Sequence, residues 1–157
     1  LLGVVGLAVA DRIEHSAREI MQHSGETPAA LVVIGYDLGP TNEQLRAVLG
    51  LSHSGTVRLV DRLVNDGLVE RRQGSNKREI SLHATTKGKK LREQVLADRL
   101  NAIRPLLENL SHRERASLDV LLRKILVSLD ADDLERRTLC RLCDNRVCAD
   151  CPIPADF

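Results

Sequence analysis

Residues 41–82, TNEQLRAVLGLSHSGTVRLVDRLVNDGLVERRQGSNKREISL, decide how this chain folds. Thr41-Asn42-Glu43-Gln44 has the form of a capping box: the Thr side chain accepts from the backbone of Gln44, whose side chain reaches back. It opens a helix with Leu45, Val48 and Leu49 on one side, which Gly50 ends. Ser52 caps the next helix, which runs to about Asn65. After Gly67 the period changes. Residues 68–72 read as a strand, 73–77 as a turn, and 78–82, which alternate polar and apolar, as a second strand.

Helix, short turn, helix and a hairpin with a basic tip together outline a winged helix-turn-helix, and each part has a task on duplex DNA. In the second helix Ser54, Arg58 and Arg62 recur at i, i+4 and i+8 as one polar stripe, while Val57, Val60, Leu63 and Val64 face the domain. Seated in a major groove by its first turns, that helix brings Ser52, His53, Ser54, Thr56 and Arg58 towards base edges and phosphates, with Arg62 one turn further on. Gly55, having no side chain, lets the backbone lie close to the duplex. Arg71 on the first strand and Lys77 and Arg78 at the tip reach neighbouring phosphates or a minor groove. Taken singly, the stripe also fits a solvated helix face and the hairpin a solubilising surface turn. Their consecutive order favours DNA reading.

Charge supports the same surface. The chain of 157 residues carries a net charge of +1, yet eight basic residues and one acid lie between Arg71 and Arg92, giving that segment +7 and the remainder −6. A local basic surface on an acidic body suits a polyanion. Hydrophobic residues are 43% and charged residues 29% of the chain, an ordinary globular balance. Tyr36 and Phe157 are the sole aromatics, so the core is built from Leu, Val, Ile and Ala, and single-stranded nucleic acid, which is bound by stacking bases on rings, is disfavoured. No Ser-His-Asp arrangement, phosphate loop or specific carboxylate pair is present, which argues against an enzyme.

Helices flank the unit. Residues 1 to about 23 and 28–37 read as two helices, the second stopped by Gly39-Pro40. Thr85 caps a long helix bearing Leu91, Val95, Leu100, Ile103, Leu107 and Leu110, with Pro105 expected to kink it. Ser111-His112-Arg113-Glu114 is a second capping box, opening a helix with Leu118, Leu122, Ile125 and Leu129 on one face. That face is long, and a second copy of the chain is its expected cover. The fold class is therefore mainly α with a small β-hairpin wing, a winged helix-turn-helix flanked by dimerisation helices. The organisation is 1–38 for scaffold and dimerisation, 39–85 for the DNA-binding unit, 86–136 for the later dimerisation helices and 137–157 for a cysteine-rich tail. The first ten residues, LLGVVGLAVA, are too short an apolar run to span a bilayer and lack the charged flank of a signal peptide. A cytoplasmic, nucleoid-associated bacterial protein with no membrane partner is expected, its start trimmed because no initiator Met is present.

The middle of the chain resembles the MarR family of bacterial regulators. The likeness runs through residues 45–52, 56–63 and 67–71, then Asn76-Lys77-Arg78 and Thr85-Thr86-Lys87-Gly88, and the flanking helices extend it to about residues 1–135. The resemblance implies a homodimer made by the terminal helices, an operator of two half-sites, repression, and release by a small effector or by oxidation. The family's wing carries Asp-x-Arg; here Asn76 stands at the Asp position and Arg78 is kept.

The tail lies outside that likeness. Cys140, Cys143, Cys148 and Cys151 are spaced C-x2-C-x4-C-x2-C, with Asp144-Asn145 as a natural reversal between the pairs. Four thiolates close a tetrahedral site suited to structural zinc; an iron–sulfur cluster takes the same ligand count. Redox disulfides and unliganded thiols are the alternatives. Two further readings of the whole chain are a zinc-stabilised protein-interaction module and a thiol redox protein. The latter lacks the βαβ surroundings such chemistry requires.

Overall fold

The computed structural model describes residues 1–21, 25–73 and 79–153. Seven α-helices and one hairpin follow in the order α1 (Leu2–Met21), α2 (Thr27–Ile34), α3 (Asn42–Leu49), α4 (His53–Asn65), β1 (Val69–Gln73), β2 (Ile80–Ala84), α5 (Thr86–Ile103), α6 (His112–Val127) and α7 (Asp133–Cys140). Short 3-10 turns cover Arg104–Leu107 and Asn145–Asp150. No helix among the described residues is long and apolar enough to cross a membrane.

Local chemistry places the boundaries. Pro28 sits in the first turn of α2, where its missing N–H costs nothing, and all eight residues of α2 are buried. α2 is thus the axis of the domain. The Thr41 box is formed: Gln44 N–H donates to Thr41 Oγ1 at 3.2 Å, and Thr41 N–H to Gln44 Oε1 at 2.9 Å. Gly50 ends α3 at φ 63°, a left-handed conformation that glycine adopts without a Cβ penalty. Ser52 Oγ accepts from Gly55 N–H at 3.1 Å and starts α4. The core fills the angle between these helices and the hairpin: Leu31, Ile34, Leu45, Val60, Leu63 and Leu82 are fully buried, each contributing roughly 1.5–3 kcal/mol by leaving water.

β1 and β2 are antiparallel, with Val69 opposite Ala84 and Gln73 opposite Ile80. β2 lies two residues later than the sequence suggested, because His83 and Ala84 continue the pairing up to the Thr85 cap. Pro105 breaks α5 into its 3-10 turn as expected. α7, with its own capping box of Asp132 and Glu135, was not expected, and it runs across the anticipated border between 136 and 137.

The ends differ from the middle. α6 buries none of its residues, and Val120, Leu121, Leu122, Ile125, Val127 and Leu129 are all exposed. α1 packs on α5 but buries only Ala17 and Met21, leaving Leu2, Val4, Val5 and Leu7 exposed.

Candidate nucleic-acid interface

α4 presents an outward polar face. Ser52, His53, Ser54, Arg58 and Arg62 are exposed, while Leu59, Val60 and Leu63 are buried and Val57 and Val64 half-buried. Ser52 and Ser54 hydroxyls stand 3.4 Å apart at the helix start, one occupied as the cap. Arg58 and Arg62 have no hydrogen-bond or ion-pair partner among the described residues. Several other arginines are engaged: Arg46 with Glu43, Arg72 with Glu70, Arg123 with Asp119 and Asp150. Two guanidiniums one helical turn apart with no internal acid are available to an outside anion.

Thr56 does not belong to this face. It is 1% exposed and its hydroxyl donates to the Ser52 carbonyl at 3.0 Å. The reason is angular: two residues from Ser54 is 200° around a helix, so Thr56 points inward where Ser54 points outward. Arg71 donates to Asp61 at 2.5 Å, tying β1 to the outer side of α4; both partners are partly exposed, so the pair sets orientation more than it stabilises. Lys77 and Arg78, and with them Asn76, lie outside the described residues. Lys87, at the foot of the hairpin, donates to the Asp66 carbonyl at 2.8 Å.

The hairpin is fixed to α5 by a close approach. Thr85 Oγ1 donates to the Gly67 carbonyl at 2.7 Å, Thr85 N–H to the Leu68 carbonyl at 3.0 Å, and Gly88 passes against that same carbonyl. The wing's angle to α4 is thereby set by backbone contacts, which do not depend on salt or pH.

Beside the reading helices lies a cavity of about 280 Å³, lined by Val33, Tyr36, Leu38, Pro40, Gln44, Val48 and Arg137. Arg137 pairs with Asp133 at 2.9 Å, while its buried Nε has no partner among the described residues. The lining is mostly apolar with one cation.

The tail is built into the domain. α7 packs on α3, and Tyr36, at the end of α2, donates to the carbonyls of Cys140 at 2.8 Å and Cys143 at 3.3 Å. Burial, then the neighbouring Cys143 and Cys140, push the Tyr36 phenol well above its ordinary ionisation range, with Arg92 pulling the other way. Arg92, 4% exposed, lies over the Tyr36 ring, donates to the Val32 carbonyl at 3.3 Å and reaches Asn145 Oδ1 at 3.0 Å. All four cysteines are free thiols, and burial pushes Cys140 up to about 11, so it is a neutral thiol at neutral pH. Among the described residues no three His, Cys, Asp or Glu side chains are gathered tightly enough to hold a metal.

This arrangement of helices and hairpin is shared with known proteins. The family model described as the MarR family matches residues 24–79. Reduced MarR from Escherichia coli superposes with a TM-score of 0.67 at 27% identity, over 80% of this chain and 96% of that one. Over residues 24–79 the chain matches the MarR family, and its fold is the MarR-type winged helix. The transcriptional repressor MprA of Escherichia coli is 34% identical over 88 residues, 55% of this chain and 50% of MprA, so the match spans half the length of that relative. A MarR-family regulator from Listeria monocytogenes, solved with 26mer DNA, shares the fold with a TM-score of 0.62 at 20% identity, over 82% of this chain and 88% of that one.

Proposed function

We propose that this chain is a MarR-family transcriptional repressor that binds duplex DNA as a homodimer on an operator of two half-sites. The observation that carries the reading is the outward face of α4, where Arg58 and Arg62 are exposed and unpartnered beside His53 and Ser54. In the major groove those arginines meet phosphates and guanine edges, and the wing follows the backbone to a flanking groove. The uncovered apolar faces of α1 and α6 support a dimer, since a second copy is the simplest cover for them. The kinship with MprA, named as a repressor, supports the sign of regulation. The largely apolar cavity beside α3, with Arg137 on its wall, suits a small anionic effector that would displace α3 from its DNA-competent angle. The tail cysteines offer a further point of control.

The test is selection of bound sequences from a random duplex library by the full-length protein, followed by affinity measurements across salt. An inverted repeat with half-sites about 10 bp apart, or a multiple of that, is expected. Log affinity should fall linearly with log salt concentration. Arg58→Ala and Arg62→Ala should each weaken binding and make the salt slope shallower, by about one unit for a lost phosphate contact. Wild-type affinity in both variants would remove α4 as the reading helix.

A further inference from the structure

We propose that Cys140, Cys143, Cys148 and Cys151 bind one zinc ion, which fastens the cysteine segment to the body of the winged-helix domain. This site stands independently of the DNA reading. Cys143 N–H donates to the Cys140 carbonyl at 2.7 Å, and Cys151 N–H to the Cys148 carbonyl at 3.0 Å. Both C-x2-C pairs thus close the same i to i+3 turn, in which side chains three apart lie over one another. In each pair the backbone turns back as a two-pronged ligand requires.

The connection between the pairs is ordered by its own residues. Asp144 Oδ1 accepts from Arg146 N–H at 3.1 Å and starts the 3-10 turn that carries Cys148. Four contacts grip this segment, and none of them runs through a sulfur. Tyr36 holds the carbonyls of the first turn, Arg92 holds Asn145, Glu93 pairs with Arg146 at 2.8 Å, and Arg123 pairs with Asp150 beside Cys151. Four thiols are therefore presented on a positioned backbone with no internal use. Among the described residues the four thiols are not gathered into a closed cluster, so binding draws the second turn, held by the exposed Arg123 and Asp150 pair, onto the first.

The donor set selects the ion. Four sulfurs at about 2.3 Å in a tetrahedron suit zinc, whereas calcium and magnesium take oxygen ligands. On binding, each S–H bond releases its proton to solvent and the sulfur lone pair forms the bond to zinc; no electron is transferred. Four thiolates on a dication leave a net charge of −2. Arg99 is the cation set against the Cys140 thiol, where that charge would develop.

The full-length protein, purified without oxygen or chelator, should be colourless and contain about one zinc per chain. Cobalt(II) added to the zinc-stripped chain should give thiolate-to-cobalt and tetrahedral visible bands that zinc then bleaches. Cys143→Ser and Cys148→Ser, one from each turn, should each lower bound zinc more than tenfold while far-ultraviolet circular dichroism is kept. Zinc should also slow tryptic cleavage after Arg141 and Arg146 in the wild type. Loss of zinc in only one of the two variants overturns a shared site. A wild-type chain that is metal-free with four titratable thiols, that carries disulfides, or that is brown with iron overturns zinc itself.

Discussion

Replacing Gly88 by alanine tests whether the hairpin is set by backbone contact with α5. A Cβ built on Gly88 would lie 2.0 Å from the Leu68 carbonyl oxygen and 3.0 Å from its carbon. Both neighbours are backbone, and the Leu68 oxygen already accepts Thr85 N–H at 3.0 Å, so neither rotates away. Two effects oppose one another. Glycine to alanine in a helix gains up to roughly 1 kcal/mol, less in a first turn. Overpacking of this kind costs about 1–3 kcal/mol and occasionally more, and the separation here is far inside van der Waals contact. The clash wins. A net loss of about 2 kcal/mol lowers Tm by roughly 4–8 °C for a chain of this size. Because relief requires α5 and the hairpin to part, DNA affinity should fall as well. Gly55→Ala is the milder comparison: its Cβ would meet only Ser52 Oγ, at 3.1 Å, the hydroxyl that caps α4, which need give by only a few tenths of an ångström. Scanning calorimetry of the two variants reads the difference. A Gly88→Ala protein as stable as Gly55→Ala would refute the contact as the determinant of the wing's angle.

Three other outcomes follow from the same geometry. Thr56→Val removes a buried hydroxyl that donates to Ser52, so stability should drop by about 1 kcal/mol in a urea titration while DNA affinity stays at the wild-type level; lost affinity would return Thr56 to the interface. Arg92→Met keeps the buried stem but leaves Val32 and Asn145 without their donor, which should cost about 2–3 kcal/mol in the urea midpoint and expose the cysteine segment to trypsin. Leu122→Glu combined with Ile125→Glu should give a sedimenting species of 17.4 kDa that no longer binds a two-half-site operator, and a wild type already of that mass would exclude the dimer.

The elements that were legible beforehand are those whose cause is local. The boxes at Thr41 and Ser111, the Ser52 cap and the Gly50 stop each depend on side chains within four residues, and each forms as written. The stripe of Ser54, Arg58 and Arg62 was equally readable from its period. Thr56 was misplaced by counting nearness along the chain rather than angle around the helix. α7 announced itself through Asp132 and Glu135, but it has only eight residues and a charged middle, which masked the signal. The docking of the tail could not be read at all, because Tyr36 and Cys140 are 104 residues apart and the bond is to a carbonyl, which carries no sequence identity.

Tyr36 is the chain's one tyrosine, and there is no tryptophan. The tyrosine band of the near-ultraviolet spectrum is consequently a report from a single address, the junction where the cysteine turns meet α2. Its phenol resists ionisation while it is buried against those carbonyls. A tail that lifts away releases it to form tyrosinate at the ordinary alkaline pH of about 10. The protein thus carries its own unlabelled gauge of whether its last segment is docked, readable by absorbance in a plain cuvette.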